Sequence, residues 1–364
     1  MKKDGSAIVY CEGAFNTSTG KTAHGLVRFT RRYDVLSVVD SRYAGEDAGQ
    51  VIDGEKRGIP VVRSVDEAAD RAVAADTPPT HLVLGFAPDG GRLADAARED
   101  VKKAIAMGLH VDCGLHDFLS DDPEMASLAR SHGVVLRDVR KPPERGHLHF
   151  FTGDIESVTI PKIAVLGTDS AVGKRTTAWL MVQGFEARGI AAQLIGTGQT
   201  AWMQGATYGI VMDSLVNDFV SGEIEHAVVR AFHEARPDVI VIEGQGSLMN
   251  PAYPGGFEIL AAGRPDMVVL QHAPARLEYD GFPGYPIHPL ARQIQVIEMI
   301  SGRPVVAVTV NHENMAPEAV PLVCDAIQKI TGLPAFDPLL HGSADLVALL
   351  MDRFATLTKK DSQP

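Results

Sequence analysis

The sequence predicts two α/β domains, each built on a parallel β-sheet that helices cover. Three observations predict this fold class. The chain has 364 residues, a length typical of roughly two domains. Short apolar, β-branched runs alternate with helical segments, which is the pattern of parallel sheets. Near the middle of the chain, a glycine-rich loop joins an apolar strand to a helix, and such loops bind phosphate groups.

The first domain is predicted over residues 1–150. Its strands and helices are expected, in chain order, at 7–13, 34–40, 64–75, 81–88 and 91–108. Ser64 is the expected N-cap of the helix at 64–75. The stretch 140–161, which contains a Pro-Pro pair, interrupts this alternation, so the domain boundary is placed near residue 150.

The second domain is predicted over residues 151–364. Its strands are expected at 162–166, 191–196, 238–244, 266–272 and 304–311. These strands are continuously apolar, which is typical of strands that are buried on both faces of the sheet. The helix after the loop carries one apolar face at helical spacing, formed by Ala178, Met181, Val182 and Phe185. An amphipathic helix at 343–357 closes the domain.

The composition narrows the class of partner. A net charge of −12, from 34 basic and 46 acidic side chains, argues against a nucleic-acid-binding protein. Three widely spaced cysteines indicate a reduced, cytoplasmic protein, and no set of metal ligands is predicted. No apolar run approaches the roughly 20 residues that span a bilayer. We therefore expect a small-molecule substrate, neither nucleic acid nor membrane as a partner, and a homo-oligomer.

The loop after the strand at 162–166 carries the clearest chemical signal, with the sequence GTDSAVGKRTT. Backbone N–H groups of such a turn point inward, and the following helix N-terminus adds partial positive charge. Gly173 allows a close approach to phosphates, and Lys174 supplies a full positive charge. The residues expected to bind the phosphates of a cofactor are Gly167, Thr168, Asp169, Ser170, Ala171, Val172, Gly173, Lys174, Arg175, Thr176 and Thr177.

Two departures from the common phosphate loop bear on metal binding. Five residues, rather than four, separate Gly167 from Gly173. Arg175 occupies the position where a Ser or Thr hydroxyl ordinarily ligates Mg²⁺, so that hydroxyl moves to Thr176 or is lost. The loop is therefore expected to depend less on Mg²⁺ than a hydrolytic loop does.

Two further strand ends carry polar residues that are expected at the same edge of the sheet. Glu243 falls where phosphate-loop proteins place a carboxylate, so it is expected to face the phosphates as a metal ligand or general base. Its alternative role is to cap the next turn. Asn311 is expected either to bind the edge of an adenine ring or to serve as a turn residue.

Local and extended motifs resemble known families. The stretch GTDSAVGK resembles the GTDTxVGK loop of dethiobiotin synthetase, which has the same five-residue gap. Longer motifs along most of the chain resemble the DgcN family, which includes D-glutamate N-acetyltransferase and was long described as a family of unknown function. These motifs are GKTAHGLVR, GFAPDGGRL, GLHDFLSDDPE, DVRKPP, GTDSAVGKRTTA and EGQGSLMNPAYPG. The resemblance implies a Rossmann-like N-terminal domain followed by a P-loop NTPase-like C-terminal domain.

The same resemblance implies an activity, which is transfer of the acetyl group of acetyl-CoA to the amine of D-glutamate during catabolism of that amino acid. The loop would then anchor the phosphates of acetyl-CoA without cleaving them. Glu243 is the first candidate for the base, and Lys174 for a donor to phosphate or oxyanion. The carboxylates of the substrate require cations. The candidates for this role are Lys21, Arg28, Arg140 and Arg175.

The residues leave two alternatives open. An ATP- and Mg²⁺-dependent ligase or kinase, similar to dethiobiotin synthetase, would require both Thr176 and Glu243 and would form ADP. A nucleotide-binding regulator would bind tightly without turnover.

Other polar residues have weaker signals. His116 and Asp117 form either a base with its orienting acid or a simple helix cap. His147 and His149 alternate along an expected strand, but no third metal ligand accompanies them. Asp40 ends a strand like the ribose-binding acid of dinucleotide folds, although the expected glycine pattern is missing from the first strand-helix turn.

Overall fold

The computed structural model describes residues 2–360, without the side chains of Asp89 and of residues 356–360. None of the described helices is both long enough and apolar enough to cross a lipid bilayer.

The chain divides into two compact units. The N-terminal unit comprises the chain up to Pro143 together with Gln199–Gly205. The C-terminal unit comprises Glu144–Gly198 and the chain from Ala206 onward. The boundary proposed near residue 150 lies slightly later in the chain, and no feature of the sequence pattern predicts the excursion at Gln199–Gly205.

Six strands of the described residues form the sheet of the N-terminal unit. They are β1 (Gly5–Tyr10), β2 (Tyr33–Val39), β3 (Val61–Val62), β4 (His81–Leu84), β5 (His110–Cys113) and β6 (Leu136–Asp138). The order across the sheet is β3-β2-β1-β4-β5-β6, and all neighbouring strands are parallel. This order, which reverses between β1 and β4, is that of Rossmann folds.

Helices follow the strands of this unit. They are α1 (Lys21–Arg28), α2 (Ala48–Asp53), α3 (Val65–Ala74), α4 (Asp95–Ala106) and α5 (Pro123–His132). The Ser64 hydroxyl accepts a hydrogen bond of 3.1 Å from the N–H of Glu67, which confirms Ser64 as the N-cap of α3. Apolar side chains from helices and strands, such as Leu26, Leu82 and Ile105, share one buried core.

Seven strands of the described residues form the sheet of the C-terminal unit. They are β7 (Lys162–Gly167), β8 (Ala192–Gly196), β9 (Tyr208–Gly209), β10 (Val239–Glu243), β11 (Met267–His272), β12 (Val305–Val310) and β13 (Ala335–Phe336). The parallel order is β13-β12-β11-β7-β10-β8-β9. All residues of β7, β10 and β12 are buried, as their continuous apolar sequences predict. Each fully buried Val, Leu or Ile side chain contributes about 1.5–3 kcal/mol.

The remaining helices follow in chain order. They are α6 (Lys174–Glu186), α7 (Gln199–Gln204), α8 (Asn217–Ala235), α9 (Phe257–Ala262), α10 (Leu290–Ser301), α11 (Val320–Thr331), α12 (Pro338–His341) and α13 (Ala344–Lys360). Of these, α7 belongs to the N-terminal unit. The predicted apolar face of α6 is fully buried, with Phe185 at its C-terminal end. The predicted closing helix is α13.

Both units are therefore α/β with parallel sheets, as the sequence predicts. In the C-terminal unit, the carboxyl ends of β7, β10, β11 and β12 meet at one edge of the sheet because the strands are parallel. Ligands bind at this edge in folds of this type. The residues that follow these strands form the candidate site.

Candidate functional site

The loop between β7 and α6 is shaped for an anion. Gly173 caps the start of α6 with a φ of 104°, a left-handed conformation that glycine adopts without steric cost. Ala171 also has a positive φ, of 51°. These turns bring the loop onto the N-terminus of α6, where the N–H groups of the first turn and the helix dipole favour negative charge.

Lys174 lies beneath the loop and is almost completely buried. Its ammonium group donates hydrogen bonds of 2.7 Å to the carbonyl oxygens of Asp169 and Gly246. A Cβ atom at Gly167 would lie 3.0 Å from the Lys174 nitrogen and 2.8 Å from its Cδ, so the side chain needs glycine there. The lysine thus connects the loop to the segment that follows β10.

The carboxylate of Asp169 is fully buried and has two partners on each oxygen. One oxygen accepts from the Ser170 N–H at 2.7 Å and from the Asn250 amide at 2.8 Å. The other accepts from the Arg276 guanidinium and from the Asp280 N–H, both at 2.8 Å. Asp169, which the sequence predicts among the cofactor-binding residues, therefore uses its side chain to hold the loop in place.

Arg276 extends this network to Asn311. Its guanidinium donates to Glu313 at 2.8 Å, and Glu313 accepts a hydrogen bond of 3.0 Å from the Asn311 amide. The Asn311 carbonyl oxygen accepts from the Glu313 N–H at 3.1 Å. Asn311 lies at the predicted edge of the sheet, and both ends of its amide are engaged within its own turn.

The hydroxyl groups of the loop have different surroundings. The Thr177 hydroxyl donates to the side-chain oxygen of Gln271 at 2.5 Å, an atom that also accepts from Thr309 at 2.6 Å. A hydrogen bond of 3.0 Å joins the Thr168 hydroxyl to His272. Burial lowers the pKa of His272 to about 4, so this imidazole is neutral at pH 7. Thr176 is half-buried.

Glu243 ends β10 beside the loop, with 6% of its surface exposed. One carboxylate oxygen accepts a hydrogen bond of 2.9 Å from the Thr197 N–H. Burial raises the pKa of Glu243, although the positive charges of Arg175 and Lys174 oppose that change. A buried carboxylate with a raised pKa next to two cations is a good candidate for a proton acceptor near neutral pH.

The predicted cations fall into two groups. Lys21 and Arg28 are the first and last residues of α1, and the Arg28 guanidinium pairs with Asp53 at 3.1 Å. Arg140 is buried and donates a hydrogen bond of 2.7 Å to the Gly114 carbonyl. All three belong to the N-terminal unit, whereas Arg175 belongs to the C-terminal unit. The structure thus brings Lys174, Arg175 and Glu243 together within one unit.

The weaker candidates have local roles. Asp117 accepts a hydrogen bond of 2.8 Å from the Leu93 N–H. The expected strand through His147 and His149 is wrong, because His147 ends a short 3₁₀ turn. The ring of His149 stacks on that of His226, with centroids 3.6 Å apart.

Sequence reasoning missed two residues that hold the loop, Asn250 and Arg276. Arg276 follows β11 by four residues, so a basic residue after a strand at this edge was an available signal. Asn250 lies in the run EGQGSLMN after β10, and nothing in its local pattern indicates that it binds Asp169. Both residues are distant from the loop in sequence, and only the fold connects them.

Comparisons with known proteins agree with the two-domain fold. Residues 149–347 match the model described as "Domain of unknown function (DUF1611_C) P-loop domain", and residues 41–142 match "Domain of unknown function (DUF1611_N) Rossmann-like domain". Proteins named D-glutamate N-acetyltransferase, from Tritonibacter scottomollicae and a Pseudoalteromonas species, are each 30% identical over 275 residues, or 74% of this chain and 80% of the relative.

A solved structure covers almost the same length. The crystal structure of a DUF1611 family protein from Anabaena variabilis has a TM-score of 0.87 and 27% identity, covering 96% of this chain and 100% of that one. The P-loop match alone includes more than half of the chain. The motif resemblance is thereby confirmed, and the chain belongs to the DUF1611 family, with a Rossmann-like N-terminal domain and a P-loop C-terminal domain.

Proposed function

We propose that this protein transfers the acetyl group of acetyl-CoA to the amino group of D-glutamate. The observation that carries the proposal is the 30% identity to two proteins of that name across 80% of their length. D-Glutamate is a dicarboxylate, and acetyl-CoA carries a pyrophosphate and a 3′-phosphate. Both substrates are therefore anions, and they require cationic sites on a chain whose net charge is −12.

The loop from Gly167 to Thr177 is the proposed anchor for the CoA phosphates. Its support is the α6 N-terminus together with Lys174 and Arg175, which add positive charge at the same place. The Thr177 hydroxyl donates its hydrogen to the side-chain oxygen of Gln271. Anchoring requires these charges and backbone groups only, so the proposal routes no step through Mg²⁺ or ATP.

Glu243 is the proposed general base. The ammonium of D-glutamate loses a proton to this carboxylate, and the free amine attacks the thioester carbonyl carbon. The C–N bond forms, the C–S bond breaks, and CoA leaves as a thiolate that takes up a proton. The amide nitrogen loses its second proton to solvent or to the thiolate. Burial raises the pKa of Glu243, which makes the carboxylate a stronger base than an exposed one.

The carboxylates of D-glutamate need cations near Glu243. Arg175 fits this position because its charge acts directly on Glu243. The sequence-based assignment of Lys21, Arg28 and Arg140 as carboxylate clamps stays a prediction, because all three residues belong to the N-terminal unit. An arginine fork would fix the acceptor's orientation, and that orientation would allow the site to distinguish the D from the L enantiomer.

The experiment follows two products in parallel. Purified protein receives acetyl-CoA with either D- or L-glutamate while free thiol is measured, and a second tube receives ATP, Mg²⁺ and glutamate while phosphate is measured. We expect thiol release that depends on D-glutamate, with N-acetylglutamate identified by mass. Phosphate release without thiol release would overturn the proposal and favour an ATP-dependent ligase or kinase.

A further inference from the structure

A small cavity in the C-terminal unit adjoins the phosphate loop. It is lined by Gly167 of the loop, by residues after β10, and by α10. Its lining side chains are Leu166, Gln245, Ser247, Leu248, Met249, Gln293 and Ile297. Four of these are apolar, Ser247 supplies a hydroxyl, and the amides of Gln245 and Gln293 donate to the carbonyls of Thr197 and His288. The lining thus suits a ligand group that has an apolar end and a hydrogen-bonding end.

Ser247 is the unusual member of this lining. The residue is 2% exposed, and its hydroxyl has no hydrogen-bond partner within the described part of the chain. Its backbone is fixed by the turn, since its N–H donates to the Tyr253 carbonyl at 3.2 Å and its own carbonyl accepts from Gly255 at 3.1 Å. Buried hydroxyls in native proteins are nearly always paired, so the Ser247 hydroxyl is available to bond an atom from outside the chain.

The cavity also lies next to the charged groups of the site. Lys174 donates to the carbonyl of Gly246, the residue before Ser247, and packs against Gly167 in the cavity wall. Gly244 follows Glu243, and a Cβ atom there would lie 3.1 Å from the Lys174 side chain. The proposed base, the loop lysine and the unpartnered hydroxyl therefore converge on one edge of the sheet.

We infer that this cavity binds the acetyl group of the thioester, with the Ser247 hydroxyl donating to the carbonyl oxygen and the apolar side chains enclosing the methyl group. This inference rests on the proposed function. A donor at the carbonyl oxygen also stabilises the negative charge that develops there when the amine attacks. In acetyl-CoA the pantetheine arm lies between the phosphates and the thioester. Because the cavity adjoins the loop that is proposed to hold the phosphates, the arm must fold back so that the thioester reaches it.

The first test compares the affinities of acetyl-CoA and CoA by isothermal titration, which requires no turnover. In the wild type we expect acetyl-CoA to bind more tightly than CoA. Ser247→Ala should reduce that ratio about fivefold, the value of one hydrogen bond. The matched control is Ser37→Ala, which removes an equally buried, unpartnered hydroxyl from the N-terminal unit and should leave the ratio unchanged.

The second test probes the apolar end of the cavity. Ile297→Ala should raise the ratio of kcat/KM for propionyl-CoA to that for acetyl-CoA by about tenfold, the usual effect of one methylene. Ile224→Ala, an equally buried change in α8, should not alter that ratio.

Each outcome has one meaning. An unchanged acetyl-CoA to CoA ratio in folded Ser247→Ala would show that the hydroxyl binds only water, and would overturn the inference while leaving the proposed function intact. An unchanged preference between propionyl-CoA and acetyl-CoA in Ile297→Ala would also overturn the inference and leave the proposed function intact. A wild type that neither binds acetyl-CoA nor releases thiol would overturn the proposed function, and the inference would fall with it.

Discussion

Asp40 of the N-terminal unit and Glu243 of the C-terminal unit both lie at the carboxyl end of a strand, and their pKa values are shifted in opposite directions. Asp40 follows β2, is fully buried, and accepts hydrogen bonds from the Phe15 N–H at 2.9 Å and from the Arg42 guanidinium at 2.7 and 3.0 Å. Glu243 ends β10 and has the Thr197 N–H as its direct donor. Burial disfavours the charge of both. The hydrogen bonds of Asp40 outweigh burial and lower its pKa, whereas burial dominates at Glu243 and raises its pKa.

This difference is our reason for proposing Glu243, and not Asp40, as the reactive acid. The charge of Asp40 is satisfied by its own chain, so it holds the β1–α1 loop in place and has little left for a ligand. Burial leaves the charge of Glu243 less well stabilised, which is why we propose that it accepts a proton from a substrate ammonium. Parallel α/β sheets present acids at their carboxyl edges in either case, and the local set of donors decides which acid is available for chemistry.

The largest difference between the two acids is expected when the charge of each is removed by substitution. Glu243→Gln should lower kcat about 10²- to 10⁴-fold, because general base catalysis contributes that much. Asp40→Asn should leave kcat of the folded protein unchanged and lower the free energy of unfolding instead. Steady-state thiol release and urea unfolding of both variants measure the two effects. Equal losses of kcat in the two variants would contradict the assignment of roles.

The next largest effect is a loss of stability when the arginine beside a buried acid is removed. Arg276→Ala removes the partner of Asp169 and should lower the free energy of unfolding by about 3 kcal/mol, since it leaves a buried carboxylate without its ion pair. Arg42→Ala, the corresponding change beside Asp40, should lower it less, because that arginine is 41% exposed. Denaturant unfolding of both variants tests the order. A larger loss of unfolding free energy for Arg42→Ala than for Arg276→Ala would contradict this prediction.

A smaller effect is expected from the loop backbone. Gly173→Ala forces a Cβ into a left-handed conformation and should cost about 1–2 kcal/mol of stability. Gly189→Ala, at a φ of 74° in the turn after α6, imposes similar strain away from the loop. Both variants should lose similar stability by thermal unfolding, whereas Gly173→Ala alone should weaken CoA binding. Weakened binding in both would indicate a general loss of folding and no specific role for the loop.

The smallest effect is a pH dependence of opposite sign at the two acids. Because the pKa of folded Glu243 is raised, its contribution to stability is complete below the ordinary glutamate pKa of about 4.3 and is lost as pH rises through the raised value. Glu243→Gln should therefore gain stability relative to the wild type as pH rises.

Asp40 should behave in the opposite way. Its folded pKa is lowered, so its contribution is present above the ordinary aspartate pKa of about 3.9 and is lost as pH falls through the lowered value. The deficit of Asp40→Asn should therefore shrink in acid. Thermal unfolding midpoints of the wild type and both variants between pH 3 and pH 8 give the stability difference of each variant as a function of pH. Differences that change with pH in the same direction for both variants would contradict the opposite pKa shifts.

Much of the fold was accessible from sequence because its signals are local. Continuous apolar runs predict β7, β10 and β12, the Ser64 hydroxyl predicts the start of α3, and the glycine-rich run predicts the loop. The excursion of Gln199–Gly205 into the N-terminal unit has no local signal, since α7 resembles any short helix.

The candidate site was accessible only in part, for the same physical reason. Lys174, Arg175 and Glu243 belong to motifs whose chemistry depends on neighbours in sequence. The partners of Asp169 lie 81 and 107 residues away along the chain, so its role follows from the fold. Ser247 lies within a recognised motif, but its missing hydrogen-bond partner is visible only in the structure.

We propose above all that the loop of the C-terminal unit holds the phosphates of CoA. The direct measurement is the affinity of CoA and of pantetheine, which lacks the nucleotide phosphates, for the wild type and Lys174→Met. Loss of a charged hydrogen bond should weaken CoA binding about 10- to 100-fold and leave pantetheine binding unchanged. Lys329→Met, at an exposed lysine of α11, should change neither affinity. Unchanged CoA binding in folded Lys174→Met would contradict the claim.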